Sequence, residues 1–550
     1  MDAAPPAVAA PVTRRFALAS GLVLLGLAAV LLFARLGWYP FWGDEADTVI
    51  FGQGVWRTGD LDAWYGENLY AYRNGALLED LRGRAAPPLP YFVAAPFWGL
   101  FGADRFAMRL PFALCGLATI GMVLYWAYRR QASRWTYVLL GLGLVLNVSL
   151  ILYARQCRYF SLGMLLSVVA AYLYDTFDGS WRKLFGLALA MCLLAATHYL
   201  NFAAWCAAVV IDFLAWRRRG RLPSLAQCAA LIVPVGVVFA GLVYIYNPLG
   251  KNAPPGIVEP DTLHDKMKLL GLTFRDINAC EYGVGLIMLV APLVAAWRRR
   301  PELSRLFLAG ATFIVATTAV SPQPAKGAFD ADIRYLAPIV PLCAVLTVLT
   351  ATTAAGRTAW AAAIVVGAAC CSNVLHVPWS RGHWHSTLAD WLGELQHPRS
   401  VANEELANWL RANAREGETV WIAPNEWCAP QIVAAPHVRY AWQLKDPPRP
   451  EGYASLPKWH FFPEFIGERR EAADLIIVFG YGNLLERVET ELLPALATQS
   501  AFYREVAVID RFFDDRTRPE LHWHWFADRP YDKTKHAVYI FRRVEPASTP

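Results

Sequence analysis

A cluster of acidic residues follows the first long apolar segment of the sequence. The stretch Phe41-Trp42-Gly43-Asp44-Glu45-Ala46-Asp47 places its carboxylates next to a segment apolar enough to enter a membrane. Carboxylates at a membrane surface are costly unless they are solvated or used. One of them could accept a proton as a general base. Alternatively, Asp44 caps the N-terminus of a helix and the helix dipole favours Glu45. The sequence leaves both interpretations open.

Two arginines, three residues apart, end another apolar segment, in Tyr153-Ala154-Arg155-Gln156-Cys157-Arg158-Tyr159. Positions three apart share one face of a helix. A guanidinium binds phosphate oxygens bidentately, so Arg155 and Arg158 suit a lipid phosphate at the edge of a bilayer. Snorkelling of both side chains toward headgroups is the alternative.

Three further positions carry polar side chains near the ends of apolar segments. Thr197-His198-Tyr199 lies between two of them, and Arg334-Tyr335 begins a later one. Lys251 lies in the polar stretch 247–281, which could be a lid over a substrate or a plain connector. A lone histidine near a helix end is usually structural, so structural and substrate-contacting roles both remain open for His198.

The elements that must position these side chains are apolar helices. The chain has 550 residues, a mean hydropathy of +0.29 and only 17% charged residues, against about 25% in an average soluble protein. A run of about 20 apolar residues spans a bilayer as a helix. We expect eleven such spans, at about 16–36, 106–128, 134–153, 160–175, 183–198, 199–216, 225–246, 282–297, 304–320, 335–354 and 359–377. The shorter run 88–102 begins at Pro87-Pro88 and is expected to be interfacial or half-inserted.

Clusters of Arg and Lys between the spans predict the orientation of the chain, because cytoplasmic loops are enriched in them. The clusters are Arg14-Arg15, Arg129-Arg130, Arg182-Lys183, Arg217-Arg218-Arg219, Arg298-Arg299-Arg300 and Arg357. With these on the cytoplasmic side, every polar position named above falls on the opposite, extracytoplasmic face.

The segment after the last span is predicted to be a small extracytoplasmic α/β domain, residues 378–550, behind a membrane domain of residues 1–377. Helices are expected at 401–415 and 484–496 and strands at 419–423, 474–479 and 537–542. Cys428 is the only cysteine of this domain, so no disulfide can form within it. No cysteine or histidine spacing typical of a metal site is present.

Acidic residues, arginines and a histidine on one membrane face indicate a general acid or base and a phosphate-binding site beside the bilayer. An ion channel would need charges within its spans, and a secondary transporter would need broken helices in repeated halves. The apolar segments hold few charges, and no repeat is evident. A membrane transporter or flippase, or a protein with a non-catalytic role, is the alternative.

These motifs resemble, in their order and spacing, the GT-C class of membrane glycosyltransferases. The likeness is closest to family 39, the branch with protein O-mannosyltransferases, aminoarabinose transferases of lipid A and galacturonosyltransferase-like proteins. It covers roughly residues 16–376. The motifs that carry it are Asp44-Glu45, Pro87-Pro88-Leu89, Phe101-Gly102 through Arg109-Leu110-Pro111, Ala154 through Tyr159, Thr197-His198-Tyr199 and Arg334-Tyr335-Leu336-Ala337-Pro338.

The resemblance implies a polytopic helical enzyme of a bacterial-type inner membrane. It would move a sugar from a polyprenyl-phosphate carrier to a lipid, glycan or protein acceptor, by a single inverting displacement. Asp44 would be the base, with Glu45 as runner-up, and no metal or other cofactor would be needed. The further roles implied are donor-phosphate binding for Arg155, Arg158 and Arg334, and substrate contact for His198, Tyr159, Tyr335 and Lys251.

One position departs from the family pattern. The family often has His or Lys before Pro-Pro-Leu, where this sequence has Ala86. Arg82 or Arg84 is a candidate substitute for that basic side chain. The identities of the sugar and the acceptor stay open.

Overall fold

The structure, a computed structural model, describes residues 11–71, 75, 78–84, 86–215, 223–246, 261–280, 284–321, 323, 325–326, 328, 331–356, 358–372, 374, 386–397, 400–444, 456–462, 472–480, 483–510 and 537–545. Lys251 lies outside the described residues. So does the boundary predicted at 377/378, which therefore stays a prediction.

Helices dominate residues 11–397. They are α1 Arg14–Phe33, α2 Gly43–Thr58, α3 Leu89–Phe101, α4 Arg105–Arg129, α5 Arg134–Val145, α6 Val148–Ala154, α7 Tyr159–Asp175, α8 Trp181–Thr197, α9 Tyr199–Ala215, α10 Leu225–Tyr246, α11 Leu263–Cys280, α12 Val284–Arg298, α13 Pro301–Ala319, the 3₁₀ segment Ile333–Ile339, α14 Val340–Ala355, α15 Ala359–Cys371 and α16 Thr387–Gln396. Every one of the eleven apolar segments predicted to span the membrane forms a helix or a pair of helices.

Polar caps explain where several apolar helices begin. The side chains of Thr13, Ser133, Asn147 and Ser180 each accept a hydrogen bond from the backbone N–H three residues later. Such a cap satisfies one of the four N–H groups that a helix leaves unpaired at its start. Asn147 also marks the bend between α5 and α6, whose axes differ by 56°.

Five helices of the described residues are long and apolar enough to cross a membrane, or six if the bent pair α5 and α6 counts as one span. They are α1, α4, α10, α13 and the continuous segment Ile333–Ala355. Five shorter apolar helices accompany them, among them α3 with 13 residues. The chain is therefore a multi-pass membrane protein.

The helix α11 lies where a lid or a plain connector was expected. Thr262 and Asp265 cap its start reciprocally: the N–H of Asp265 donates to Oγ1 of Thr262 at 3.2 Å, and the N–H of Thr262 donates to Oδ2 of Asp265 at 3.1 Å. This Thr-x-x-Asp pattern is the sequence signature of a capping box, with aspartate in place of glutamate. It is the signal from which the helix could have been predicted.

A mixed five-stranded sheet, the C-terminal sheet, forms after residue 397. Its strands are β5 Thr419–Ala423, β6 Arg439–Tyr440, β7 Leu475–Phe479, β8 Phe502–Ile509 and β9 Val538–Val544, in the order β6-β5-β7-β9-β8. The first three are parallel, and β9 is antiparallel to both of its neighbours. Its helices are α17 Ala402–Asn413, α18 Ala429–Ala434, α19 Leu484–Arg487 and α20 Leu493–Ala497, the last two joined by a π turn at Val488–Leu492.

The predicted α/β character of this region is confirmed. Its core includes Trp421, Trp442, Ile476, Val478 and Phe541. Strand β7 is buried along its whole length, as its uninterrupted apolar sequence predicts. The edge strands β6 and β8 were not predicted, because neither has a long apolar run.

The chain folds into two compact units, each assembled from three stretches of sequence. The first comprises Met1–Arg35, Phe112–Leu242 and Pro254–His397; the second comprises Leu36–Pro111, Val243–Ala253 and Pro398–Pro550. Within the second unit, two short hairpins follow α2: β1 Trp64–Tyr65 with β2 Asn68–Leu69, and β3 Leu78–Glu79 with β4 Arg82–Gly83.

Candidate active site

Helix α2 carries the acidic cluster in its first turn. Its N-cap is Trp42, which has an extended backbone, so Asp44 and Glu45 are the second and third helical residues. The alternative in which Asp44 itself caps the helix is therefore wrong. Carboxylates in the first turn are favoured by the partial positive charge of a helix N-terminus. Gly59 ends the helix in the left-handed conformation, with φ of 78°.

Glu45 is fully buried in an ion pair with Arg109 of α4. Nε of Arg109 donates to Oε1 of Glu45 at 2.8 Å, and Nη2 donates to Oε2 at 2.5 Å. The same guanidinium donates to the backbone carbonyls of Leu36, Tyr39 and Pro40 at 2.9 to 3.0 Å. Arg109 thus uses all five of its N–H donors to fix the chain that leads into α2.

Asp44 has a different environment from its neighbour. It is half-buried, whereas Glu45 is inaccessible. Successive helical residues are about 100° apart around the axis, so Asp44 lies on another side of α2 from the Arg109 pair. Asp47, one turn later, lies on the same side as Asp44 and is also half-buried.

The arginines considered as substitutes for a basic residue before Pro87 are both paired with Asp60. Arg84 binds both carboxylate oxygens of Asp60 at 2.8 Å, and Arg82 binds Oδ2 at 2.9 Å. Burial raises the pKa of Asp60, but the hydrogen bonds from Arg84 and from the N–H of Leu61, with the two positive charges, outweigh it and hold the pKa below its usual value. Asp60 is therefore a carboxylate at neutral pH, and it engages both arginines.

A second cluster, the aromatic–arginine cluster, forms in the first unit where α7, α9 and the 3₁₀ segment begin. The ring of His198 lies 4.2 Å from that of Tyr159 and 5.7 Å from that of Tyr335, centre to centre. Arg158 lies 5.6 Å from the ring centre of Tyr159, and Arg334 lies 5.7 Å from that of Tyr335. Five residues singled out from the sequence thus come together.

Positive charge concentrates on this cluster. Arg158 and Arg334 both act electrostatically on His198 and Tyr159. The Nε of Arg334 also donates to Oδ2 of Asp332 at 2.9 Å, and the Arg334 side chain is 23% exposed. Arg158 and Arg334 together carry two positive charges, and the Asp332 carboxylate, which binds Arg334, offsets one of them.

Polar atoms without a hydrogen-bond partner among the described residues line the same region. They are the hydroxyl groups of Tyr159 and Ser161 and both side-chain atoms of Asn201. Ser161 and Asn201 are fully buried, and the N–H of Asn201 donates to Nδ1 of His198 at 3.4 Å. A buried polar group that stays unpaired costs about 1–3 kcal/mol, so these atoms mark a place where a polar ligand or water would be stabilised.

Ser161 and Asn201 were missed in the sequence. The available signal is their polarity inside apolar segments, which in membrane proteins is by default a functional indication. The signal is easily overlooked because each residue follows within three positions of a more conspicuous neighbour, Tyr159 or His198.

Arg155 does not share the environment of Arg158. Nη1 of Arg155 donates to the carbonyls of Leu31, Leu32 and Ala34 at 2.8 to 3.0 Å, and Nη2 donates to that of Arg35 at 3.2 Å. These are the carbonyls at the end of α1, which a helix leaves unsatisfied. The side chain of Arg155 thus caps the C-terminal end of α1.

Comparison with solved structures identifies the fold. The crystal structure of ArnT from Cupriavidus metallidurans bound to undecaprenyl phosphate is similar with a TM-score of 0.56 and 13% identity, over 95% of this chain and 97% of that chain. Its apo state gives 0.53 and 13%, over 96% and 98%. The archaeal oligosaccharyltransferase AglB from Archaeoglobus fulgidus, in complex with an inhibitory peptide and a dolichol-phosphate, gives 0.50 and 11%, over 88% and 71%.

No protein-family model and no curated protein matches the sequence. At 11–13% identity, the structural likeness establishes the fold, which is that of the GT-C glycosyltransferases. The predicted fold class is confirmed.

Proposed function

We propose that this chain is a glycosyltransferase that takes a sugar from a polyprenyl-phosphate carrier and transfers it to a lipid, glycan or protein acceptor. The observation that carries the proposal is the aromatic–arginine cluster: two guanidinium groups, Arg158 and Arg334, beside buried hydroxyl and amide groups that lack a partner within the described structure. Guanidinium, hydroxyl and amide donors are the groups that bind phosphate oxygens. The GT-C fold, which a protein with bound undecaprenyl phosphate and one with bound dolichol-phosphate share, supports it.

The proposed chemistry is one displacement at the anomeric carbon. A hydroxyl or amine of the acceptor forms a bond to that carbon, while the bond from the carbon to the phosphate oxygen breaks. The electron pair leaves with the lipid phosphate, whose developing charge Arg158 and Arg334 would stabilise. The acceptor's proton passes to Asp44. The configuration at the anomeric carbon is inverted.

Asp44 rather than Glu45 is the proposed base. The Glu45 carboxylate already accepts two short bonds from Arg109 and is out of contact with solvent, whereas Asp44 is accessible at the start of the same helix. A general base must reach the proton that it removes. We assign Arg155 a structural role, because its guanidinium is engaged by the carbonyls at the end of α1. We keep His198, Tyr159 and Tyr335 as substrate-contacting residues. Substrate contact by Lys251 stays a prediction from the sequence.

The proposed location is a bacterial-type inner membrane, with the site and the C-terminal domain on the extracytoplasmic face. This follows from the Arg and Lys clusters between the spans. Residues 1–377 would be the catalytic membrane domain and residues 378–550 the soluble domain.

The test uses purified protein in lipid nanodiscs with a panel of undecaprenyl-phosphate sugars, hexosyl and pentosyl, and a detergent extract of bacterial membranes as a mixed source of lipid, glycan and protein acceptors. It follows release of free undecaprenyl phosphate. The variants are Asp44→Asn, Arg158→Gln and, as a matched control, Glu67→Gln, whose carboxylate is 81% exposed in the same unit. We expect one donor to react. Asp44→Asn should abolish release, Arg158→Gln should raise the KM for the donor at least tenfold, and Glu67→Gln should match the parent.

Release that survives in Asp44→Asn would exclude Asp44 as the base. Movement of the lipid across a vesicle membrane without release of its sugar would favour a flippase instead.

A further inference from the structure

The C-terminal sheet and the helix that carries Asp44 belong to one compact unit, although more than 300 residues separate them in sequence. Two sets of contacts join them. One runs through the hairpin β1–β2 to the edge strand β6, and the other runs directly from α18 to α2. Neither set of contacts could be predicted from the sequence, and both fix the position of α2.

Asn68 makes the first connection. Its Nδ2 donates to the carbonyls of Val438 at 3.0 Å and Pro436 at 3.2 Å, and its Oδ1 accepts from the N–H of Tyr440 at 3.0 Å. The side chain is buried, with 1% exposed. The N–H groups of Arg439 and Ala441 donate in the other direction, to the carbonyls of Glu418, just before β5, and of Val420 in β5. Asn68 therefore pairs the outward backbone groups of an edge strand, as a neighbouring strand would.

The hairpin passes this connection on to α2. Gly54 of α2 lies so close to the backbone of Asp62 that a β-carbon there would be 2.5 Å from the Asp62 carbonyl oxygen and 2.7 Å from its nitrogen. The rings of Phe51 in α2 and Tyr70, just after β2, lie 6.2 Å apart. The N–H of Tyr70 donates to the carbonyl of Ala63 at 2.9 Å, which closes the hairpin. Because the two backbones pack directly on each other, a displacement of the hairpin also displaces α2.

The second connection meets α2 one turn from Asp44. Helix α18 packs on α2, and Cys428, which precedes α18, lies within electrostatic range of Asp47. Burial raises the pKa of the Cys428 thiol, and the negative charge of Asp47 adds to the rise. Cys428 donates to Oε1 of Gln443, which lies beyond β6. The segment that runs from Cys428 into α18 thus lies against α2 and near Asp47, and Gln443 connects it to the end of β6.

We propose that Asn68 is a positioning residue for the transfer reaction: it fastens the hairpin β1–β2 to strand β6, so that the C-terminal sheet holds α2 and Asp44 in their working position. The role of Asp44 rests on the proposed function. The fastening itself is independent of it. The C-terminal sheet then positions Asp44 in every catalytic cycle, whichever acceptor is used.

The experiment compares Asn68→Ala and Asn68→Ser with Glu67→Ala. Glu67 is the neighbouring residue and also reaches the C-terminal sheet, but through an exposed pair with Arg439 at 3.6 Å, a kind of contact that contributes little. For each variant in nanodiscs we measure kcat and KM for the donor, and amide hydrogen exchange in the peptides that contain α2 and residues 436–442.

In Asn68→Ala we expect the Tyr440 amide to exchange at least tenfold faster, and the amides of α2 to exchange faster as well. The kcat should fall by about 10- to 100-fold, since a displacement on the order of 1 Å at a catalytic group has that effect. The KM for the donor should stay within twofold of the parent. Asn68→Ser keeps a short hydroxyl that can bond to one backbone group of this strand and buries no charge, so it should give a smaller loss of the same kind. Glu67→Ala should match the parent.

The proposal is overturned if Tyr440 exchanges faster while kcat stays within twofold of the parent, if Tyr440 exchange does not change, or if Glu67→Ala loses as much kcat. Exchange in β7 reports whether the fold survives; if Asn68→Ala does not fold, Asn68→Ser decides by the same criteria. If the parent releases lipid phosphate from no donor, the proposed function fails. The fastening is then decided by exchange alone: α2 must open more in Asn68→Ala than in Glu67→Ala.

Discussion

The substitution Glu45→Gln removes one charge of the buried pair with Arg109 while nearly preserving the shape of the side chain. Arg109, whose side chain is 2% exposed, would keep its charge and lose the carboxylate that pairs with it here. Its two bonds to the Glu45 carboxylate would become one bond and one clash between N–H groups. Breaking a buried ion pair from one side costs about 3–5 kcal/mol.

That cost should appear where the pair acts, at the start of α2. If about 3 kcal/mol of it is lost from the local stability of the helix, its amides should exchange on the order of 100-fold faster, since 1.4 kcal/mol corresponds to a factor of ten. Hydrogen exchange of the α2 peptide, followed by mass spectrometry in nanodiscs, measures this directly.

Asp44→Asn is the matched comparison, because it neutralises the adjacent carboxylate on the same turn. Asp44 interacts with the helix dipole, which is worth about 0.3–1 kcal/mol, so its loss should speed α2 exchange less than about sixfold. We therefore expect opposite outcomes: Glu45→Gln opens the helix, and Asp44→Asn abolishes sugar transfer with the helix closed. Exchange within threefold of the parent in Glu45→Gln, or equal opening in both variants, would refute the assignment of a structural role to Glu45.

Two other predictions concern packing and pH. Gly54→Ala should displace the hairpin that packs on α2 and lower kcat at least tenfold, whereas Gly26→Ala, where an added β-carbon meets nothing within 4 Å, should be neutral; equal activities would contradict the close packing. Burial lowers the pKa of His460 to about 4 from a usual value near 6.5, so the unfolded chain binds this proton more readily. The neutral His460 side chain therefore contributes to the free energy of unfolding above pH 6.5. This contribution is lost as the pH falls toward 4, by about 2 kcal/mol at pH 5. Exchange of the C-terminal sheet at pH 7 and pH 5 should show this loss in the parent and not in His460→Phe; an equal loss in both would count against it.

The helices could be predicted because their cause is local. A run of apolar residues between polar caps, such as that from Phe16 onward behind Thr13, is helical in a membrane whatever surrounds it, since every backbone group must be paired. The strand β7 could be predicted for a similar reason, as five consecutive apolar residues. The edge strand β6 has two residues and no pattern of its own. Its pairing is set by β5 on one side and by Asn68 on the other, and Asn68 is 372 residues away from Tyr440 in sequence.

The residue types of the candidate site could also be predicted, but not which partner each would take. Glu45 and Arg155 were candidates because of their charge and position. Arg109, 64 residues after Glu45, engages the first, and the end of α1 engages the second. Asn68 could not have been singled out, because its partner Tyr440 is 372 residues away and its environment exists only after folding.

The second compact unit is assembled from three stretches of chain, and this has a consequence for the order of synthesis. About 290 residues separate the end of its first stretch at Pro111 from the start of its third at Pro398. At about 5–20 residues per second, a ribosome needs roughly 15–60 s to make them. For that time the nascent α2 exists without helix α18, which later packs on it. The part of the α2 surface that α18 will bury must therefore be covered during biogenesis by a chaperone or by the lipid surface itself.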